Sequence, residues 1–219
     1  MIICVEGPSA VGKTTLVAAL ASSMSGQVVP ELDTLDAPPR SESAGWFADQ
    51  SSRRWLEARA LAAGTHAVLL DGDPFKGLWY NAVFRNDGWP DPRVTAALYR
   101  ERMENDSLEW PDLYLALDAD ETELTKRRAA DPTRRRRRFE SHLRLLAPLR
   151  EYFHALAERL PGRVLQLDTT HLSPGPVADK ARQLIARSQR HAQTPRAALV
   201  AELANWVSER PWGRESWTP

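Results

Sequence analysis

The chain has almost no cysteine, no long apolar run and no net charge. Cys4 is the single cysteine among 219 residues. That excludes an internal disulfide and points to a reducing compartment. Cys4 sits in a short apolar run and reads as a packing residue. No apolar run reaches the ~20 residues that cross a bilayer. Lys+Arg and Asp+Glu are both 29, a formal net charge of zero, which argues against a general nucleic-acid-binding surface while leaving room for local basic clusters. The five histidines show no metal-ligand spacing, no Ser/His/Asp nucleophile pattern stands out, and no internal repeat is visible. The first residues already read as a strand and a glycine loop, which leaves no space for a cleavable leader. These absences lead to the expectation of a soluble, cytoplasmic α/β protein with a sizeable core and with neither nucleic acid nor membrane as partner.

What is present is organised around Gly7-Pro8-Ser9-Ala10-Val11-Gly12-Lys13-Thr14, which fits the phosphate-loop spacing G-x-x-x-x-G-K-[ST]. The apolar run Met1–Val5 before it reads as a buried strand. The segment from Thr15 to Ala21 after it reads as a helix, with Leu16, Ala19 and Leu20 on one face. Glycines let such a loop curl its N–H groups inward at an anion, and the helix start adds positive potential. Gly7, Ser9, Ala10, Val11, Gly12, Lys13, Thr14 and Thr15 are therefore expected to bind a nucleoside triphosphate. Lys13 would reach the β- and γ-phosphates and the Thr14 hydroxyl would ligate Mg²⁺.

Further strands are expected at Gln27–Val29, at His66–Leu70, at Leu113–Leu117 and at Val164–Leu167. Helices are expected from Ser43, acting as a cap, to about Ala63, from Pro92 to Ser107, near Glu121–Ala130, in one long element through about Arg159, and from Val177 to Arg190. The span from Phe75 to Trp89 reads as irregular and aromatic, and a short helix is expected after Thr194. Strands alternating with helices predict a parallel sheet covered on both faces. Ligands in such sheets bind at the carboxyl ends of the strands.

Four carboxylates follow strand ends: Glu31 and Asp33 after the second strand, Asp71 and Asp73 after the third. They can hold Mg²⁺ or position an acceptor hydroxyl; alternatively, some are turn residues, since Asp before Pro commonly starts a turn. Lys126-Arg127-Arg128 and Arg134 to Arg138 read as a solvated face or as a lid that brings positive charge to a transferring phosphoryl group. The aromatics Trp46, Phe47, Trp55, Phe75, Trp79, Tyr80, Phe84 and Trp89 crowd the middle of the chain. Most read as core, with Trp46 and Phe47 as candidates to stack a flat substrate.

These residues resemble the thymidylate kinase and deoxynucleoside kinase superfamily. The likeness rests on Glu6-Gly7 through Leu16, on Val28-Val29-Pro30-Glu31, on Leu70-Asp71-Gly72-Asp73, on Leu124 to Tyr152 with Arg138-Phe139-Glu140, and on Asp168-Thr169-Thr170. It implies a three-layer α/β P-loop kinase fold with a five-stranded parallel sheet and an arginine-rich lid at about 128–140. The kinase domain would span 1–190 and a helical, Trp-containing tail 191–219. It implies that Glu31 acts as base or holds the acceptor hydroxyl. Asp33 stands where small-molecule P-loop kinases of the shikimate and chloramphenicol phosphotransferase types place a substrate-binding aspartate. One departure is clear: the family carries an arginine after the strand-three acid, and this chain has Gly72.

The expected activity is an ATP- and Mg²⁺-dependent kinase of the nucleoside/nucleotide kinase type. Lys13, Glu31, Asp33, Asp71, Arg128 and Arg138 would be catalytic, Thr14 and Asp71 would hold the metal, and Glu31, Asp33, Trp46, Phe47 and Asp73 would bind substrate. The alternatives are an antibiotic or metabolite O-phosphotransferase on the same fold and, in another class, a nucleotide-dependent switch or assembly ATPase. The partners are a nucleoside triphosphate and a small-molecule acceptor, with a homodimer left open.

Overall fold

A computed structural model describes residues 1–32, 34, 37–131, 139–188 and 197–212. The chain divides into two compact units: Met1–Glu31 with Ala58–Asp73 and Pro111–Ala192, and Leu32–Glu57 with Pro74–Trp110 and Gln193–Pro219.

The first unit is built on a parallel sheet of β1 (Ile2–Glu6), β2 (Gln27–Val29), β3 (Val68–Asp71), β4 (Leu113–Asp118) and β5 (Val164–Asp168), in the order β2-β3-β1-β4-β5. β1 lies in the middle, with Val5 opposite both Asp71 and Leu115. Its loop therefore leaves the sheet between the ends of β3 and β4, where ligands bind in open α/β sheets. Alternation sorts the side chains. Ile3, Val5, Leu69, Leu113, Leu115 and Leu117 join one buried cluster with Leu16, Val17 and Leu20 of α1 (Lys13–Met24), Leu124 of α5 (Glu121–Ala130) and Val177, Ala181 and Ile185 of α8 (Pro174–Arg187). Tyr114 turns to the opposite face, with its ring 5.8 Å from Phe153 of α7 (Leu146–Arg159). Helices thus cover both faces, as a parallel sheet requires.

Local chemistry explains several boundaries. α1 stops at Ser25, which is left-handed with φ 50°. Gly26 follows because a Cβ there would come within 2.9 Å of the Ala67 carbonyl oxygen. The Asp120 carboxylate caps α5 by accepting from the Glu123 N–H at 2.7 Å. The long helix expected through Arg159 is two helices, α6 (Phe139–Leu143) and α7. Pro148 explains the new start, because a proline fits a first turn and breaks a helix interior.

The second unit is helical. It holds most of α2 (Ser43–Ala62), with α3 (Gly77–Val83), α4 (Pro92–Glu104) and α9 (Ala198–Glu209). Ser43 does not cap α2; its hydroxyl donates back to the Arg40 carbonyl at 2.7 Å. The span expected to be irregular contains α3, whose Leu78, Trp79, Ala82 and Val83 are buried. Gly77 admits α4 closely, since a Cβ would lie 2.8 Å from the Tyr99 hydroxyl and from Thr95 Cγ2. α9 packs along α4 and α3, burying Val200, Leu203, Ala204 and Val207. Arg85 donates to the carbonyls of Ser208 at 3.2 Å and Val207 at 3.4 Å, which places a cation on the last turn of α9.

α9 is therefore part of the packed helical unit. Truncating Leu203, which is fully buried, should lower unfolding free energy by about 2–5 kcal/mol in urea denaturation of Leu203→Ala. A loss within error of zero would show that α9 does not share in the folding of that unit.

Candidate active site

The phosphate loop, Glu6, Glu31, Asp71, Asp73, Tyr114, Arg127 and Arg128 all belong to the sheet unit. β1 delivers the chain into the phosphate loop with no exposed residue between Ile2 and Gly7. Gly7 is required by proximity: a Cβ would sit 2.7 Å from the Leu117 carbonyl oxygen of β4. Ala10 (φ 71°) and Gly12 (φ 101°) are left-handed, and the Val11 N–H donates to Pro8 O at 3.3 Å. Successive right- and left-handed residues of this kind turn backbone N–H groups into an anion-binding hollow. α1 starts at Lys13 with no side-chain cap, so its positive end is left to a ligand. Ser9 lies on this loop, and Thr14 and Thr15 lie on the first turn of α1.

The Lys13 ammonium folds back over the loop. Its Nζ donates to Gly7 O at 2.9 Å and Pro8 O at 3.4 Å, and lies 3.9 Å from Glu6 Oε1. The Thr14 hydroxyl donates to Asp71 Oδ2 at 2.8 Å, joining α1 to the end of β3. Asp71 is 2 % exposed. Burial lifts its carboxyl above the usual carboxylate range; the Thr14 hydrogen bond opposes this, and the charges of Glu31 and Glu6 add to the rise. A hydroxyl and a carboxylate in contact form an oxygen donor pair that suits Mg²⁺, which keeps waters and takes substrate phosphates for its remaining ligands. Among the described residues no group of three or more His, Cys, Asp or Glu side chains could hold a metal.

The turn after β3 sets the other carboxylates. Gly72 is left-handed at φ 98°. A Cβ there would meet Glu6 Oε2 at 3.8 Å and Glu31 Oε1 at 4.0 Å. Glu31 is thus beside the turn, and is itself exposed. Asp73 is 3 % exposed; its N–H donates to Glu6 Oε2 at 3.0 Å, and its Oδ1 accepts from the Tyr114 hydroxyl at 3.1 Å. Burial, with Asp73 alongside, pushes the Tyr114 hydroxyl well above the phenol range, so it stays a donor.

Sequence reasoning did not single out Glu6 or Tyr114 as site residues, and it read Arg127 with its neighbours as a solvated face or a lid, whereas it bonds the phosphate loop. Glu6 is an ionisable group closing an apolar strand, and that was the available signal. Arg127 follows Glu123 by one helical turn and bonds it at 2.8 Å. It also donates to Val11 O at 3.1 Å, Thr169 Oγ1 at 3.0 Å and Thr169 O at 2.6 Å, anchoring the phosphate loop to the end of β5. Arg128 bonds Glu140, with its guanidinium 4.8 Å from the Phe139 ring centroid. Arg138, like 134–137, lies outside the described residues, and so does Asp33. Trp46 and Phe47 are in the helical unit, half-buried and edge-to-face at 4.9 Å, with Trp89 5.6 Å from Phe47. No described helix is long and apolar enough to cross a membrane.

No family model and no curated protein matches the chain. Solved structures do. A thymidylate kinase from Candida albicans superposes with a TM-score of 0.61 at 16 % identity, covering 84 % of this chain and 90 % of its own. A deoxyadenosine kinase from M. mycoides gives 0.61 at 11 % identity, covering 85 % of this chain and 99 % of its own. Strand order, phosphate loop and these superpositions agree: the chain has the three-layer α/β fold of P-loop nucleoside and nucleotide kinases, built on a five-stranded parallel sheet.

Proposed function

We propose that the chain is an ATP- and Mg²⁺-dependent kinase of the nucleoside/nucleotide type that transfers the γ-phosphoryl group to a hydroxyl of a small molecule. The observation that carries this reading is the contact between Thr14 Oγ1 and Asp71 Oδ2 at 2.8 Å. It joins a phosphate loop to a strand-end carboxylate, the pair through which P-loop enzymes hold Mg²⁺ against phosphate. The loop N–H groups and the start of α1 bind the phosphates. Lys13 exchanges the Gly7 and Pro8 carbonyls for phosphate oxygens and neutralises charge as it moves to the leaving group. Thr14 and Asp71 hold Mg²⁺, which supplies charge at the phosphate oxygens when bound. Glu31, or Asp33, takes the acceptor hydroxyl, and Arg128 with Arg138 brings further positive charge to the transferring group.

Gly72 bears on the acceptor. Where related enzymes carry an arginine, this turn has no side chain, and carboxylate oxygens of Glu6 and Glu31 lie 3.8 and 4.0 Å from where its Cβ would be. A monophosphate needs a bidentate cation, and a carboxylate border repels it. An uncharged hydroxyl compound is the favoured acceptor, which also keeps a metabolite or antibiotic O-phosphotransferase in view. The screen that tests the whole reading measures ATP consumption with neutral nucleosides, nucleoside monophosphates and hydroxylated antibiotics. Stimulation by a neutral hydroxyl compound supports it. Efficient phosphorylation of thymidylate overturns the acceptor preference, and vigorous hydrolysis without any acceptor overturns the kinase reading.

Two variants probe the machinery. Lys13→Ala should lower turnover by about two orders of magnitude or more, a loss of about 3 kcal/mol of transition-state stabilisation; near-normal turnover in the folded variant would refute the role. Asp71→Asn should remove the Mg²⁺ dependence and most turnover.

The same substitution should raise the melting temperature of the metal-free protein at pH 7. The folded Asp71 carboxyl titrates above its unfolded value. Its favourable contribution is complete below about pH 3.9 and is lost as pH rises through the raised folded value. The advantage of Asn should therefore shrink as pH falls toward 4. A melting temperature lowered at pH 7 would show that ionised Asp71 stabilises the empty fold.

A further inference from the structure

Glu6 is a charged side chain with no solvent exposure, placed immediately before the first glycine of the phosphate loop. Its two oxygens are divided between two segments. Oε1 accepts the Gly7 N–H at 2.8 Å, and Oε2 accepts the Asp73 N–H at 3.0 Å. The carboxylate also faces the Lys13 ammonium at 3.9 Å, with only 12 % of that lysine side chain exposed. A buried carboxylate is tolerated when hydrogen bonds and a counter-charge meet it, and here the counter-charge is the lysine that phosphate requires.

We propose that Glu6 is a positioning residue that acts through Lys13. It is the internal anion on which the lysine rests before nucleotide arrives, and it thereby sets nucleotide affinity. This rests on the nucleotide-binding reading given above. Nucleotide must draw Lys13 away from a buried carboxylate and two carbonyls, so part of the binding free energy is used to replace those contacts. The hydrogen bonds to Gly7 and Asp73 hold the carboxylate at a fixed place. The lysine is therefore kept folded over the loop and close to the metal-side turn. Glu6 is distinct in this from Asp71, whose hydroxyl partner on α1 is Thr14.

Glu6→Gln keeps the shape and one acceptor oxygen while removing the charge. Equilibrium binding of ATP is measured for the full chain, Glu6→Gln, Lys13→Met and the double variant, with melting temperatures for all four. Glu6→Gln should bind ATP about three- to ten-fold more tightly, and the gain should disappear in the Lys13→Met background, as expected for groups in contact. A residue with a merely structural role would change the melting temperature without that coupling. Glu6→Asp keeps the charge but withdraws it by one methylene; it should tighten binding by a smaller factor with the same dependence on Lys13, and it carries the test if the Gln variant does not fold. Unchanged or weaker binding in Glu6→Gln overturns the inference. An equal gain with and without Lys13 also overturns it, because direct repulsion between Glu6 and ATP would then be the cause. Failure of the unaltered chain to bind ATP overturns the nucleotide-binding reading itself.

Discussion

The buried carboxylate of Glu6 is the constraint on which the geometry of the site depends. One oxygen fixes the first peptide of the phosphate loop and the other fixes the turn after β3, at 2.8 and 3.0 Å. β1 and β3 are neighbours in the sheet, but pairing of the strands alone ends at Val5 and Asp71. Glu6 carries the alignment one step further, into the two loops that follow these strands. The Thr14–Asp71 contact repeats the connection from the helix side. Arg127 completes it from the other flank by tying Val11 to Thr169. The loop is thus held at its start, at its crest and at its exit by the chain's own side chains.

This arrangement concentrates negative charge. Glu6, Glu31, Asp71 and Asp73 all lie around one turn, and burial lifts the Asp71 carboxyl further. Such a grouping is costly by itself and is offset by the Lys13 ammonium, 3.9 Å from Glu6 Oε1, and by the positive end of α1. Gly72 belongs to the same balance. Its left-handed backbone brings the Asp73 N–H to Glu6 Oε2 at 3.0 Å.

Much of this was legible in the sequence. The spacing from Gly7 to Thr14, set between an apolar run and a helix, identified the loop because that chemistry needs those residues at those positions. β1, β3 and β4 were legible because buried parallel strands are continuous apolar runs, and the less buried β2 and β5 as short apolar segments. Gly77–Val83 was not recognised as a helix, since a segment dense in aromatics hides its period and packs by close approach of Gly77 to Tyr99. The break before α7 was missed because Pro148 falls one turn inside an otherwise regular apolar pattern. Asp33 and the arginine run at 134–138 lie outside the described residues.

The sequence by itself determined the phosphate loop, the alternation of strands and helices, and the carboxylates that follow strand ends. Those features are local: spacing, periodicity and backbone freedom are written along the chain. Tertiary structure alone decided which carboxylate meets which partner. Thr14 and Asp71 are 57 positions apart, Glu6 and Asp73 are 67 apart, and Arg127 and Val11 are 116 apart. Only the order of the sheet, with β1 between β3 and β4, brings those separations to hydrogen-bond distance. The physical reason is that a buried charge takes its role from the groups packed around it.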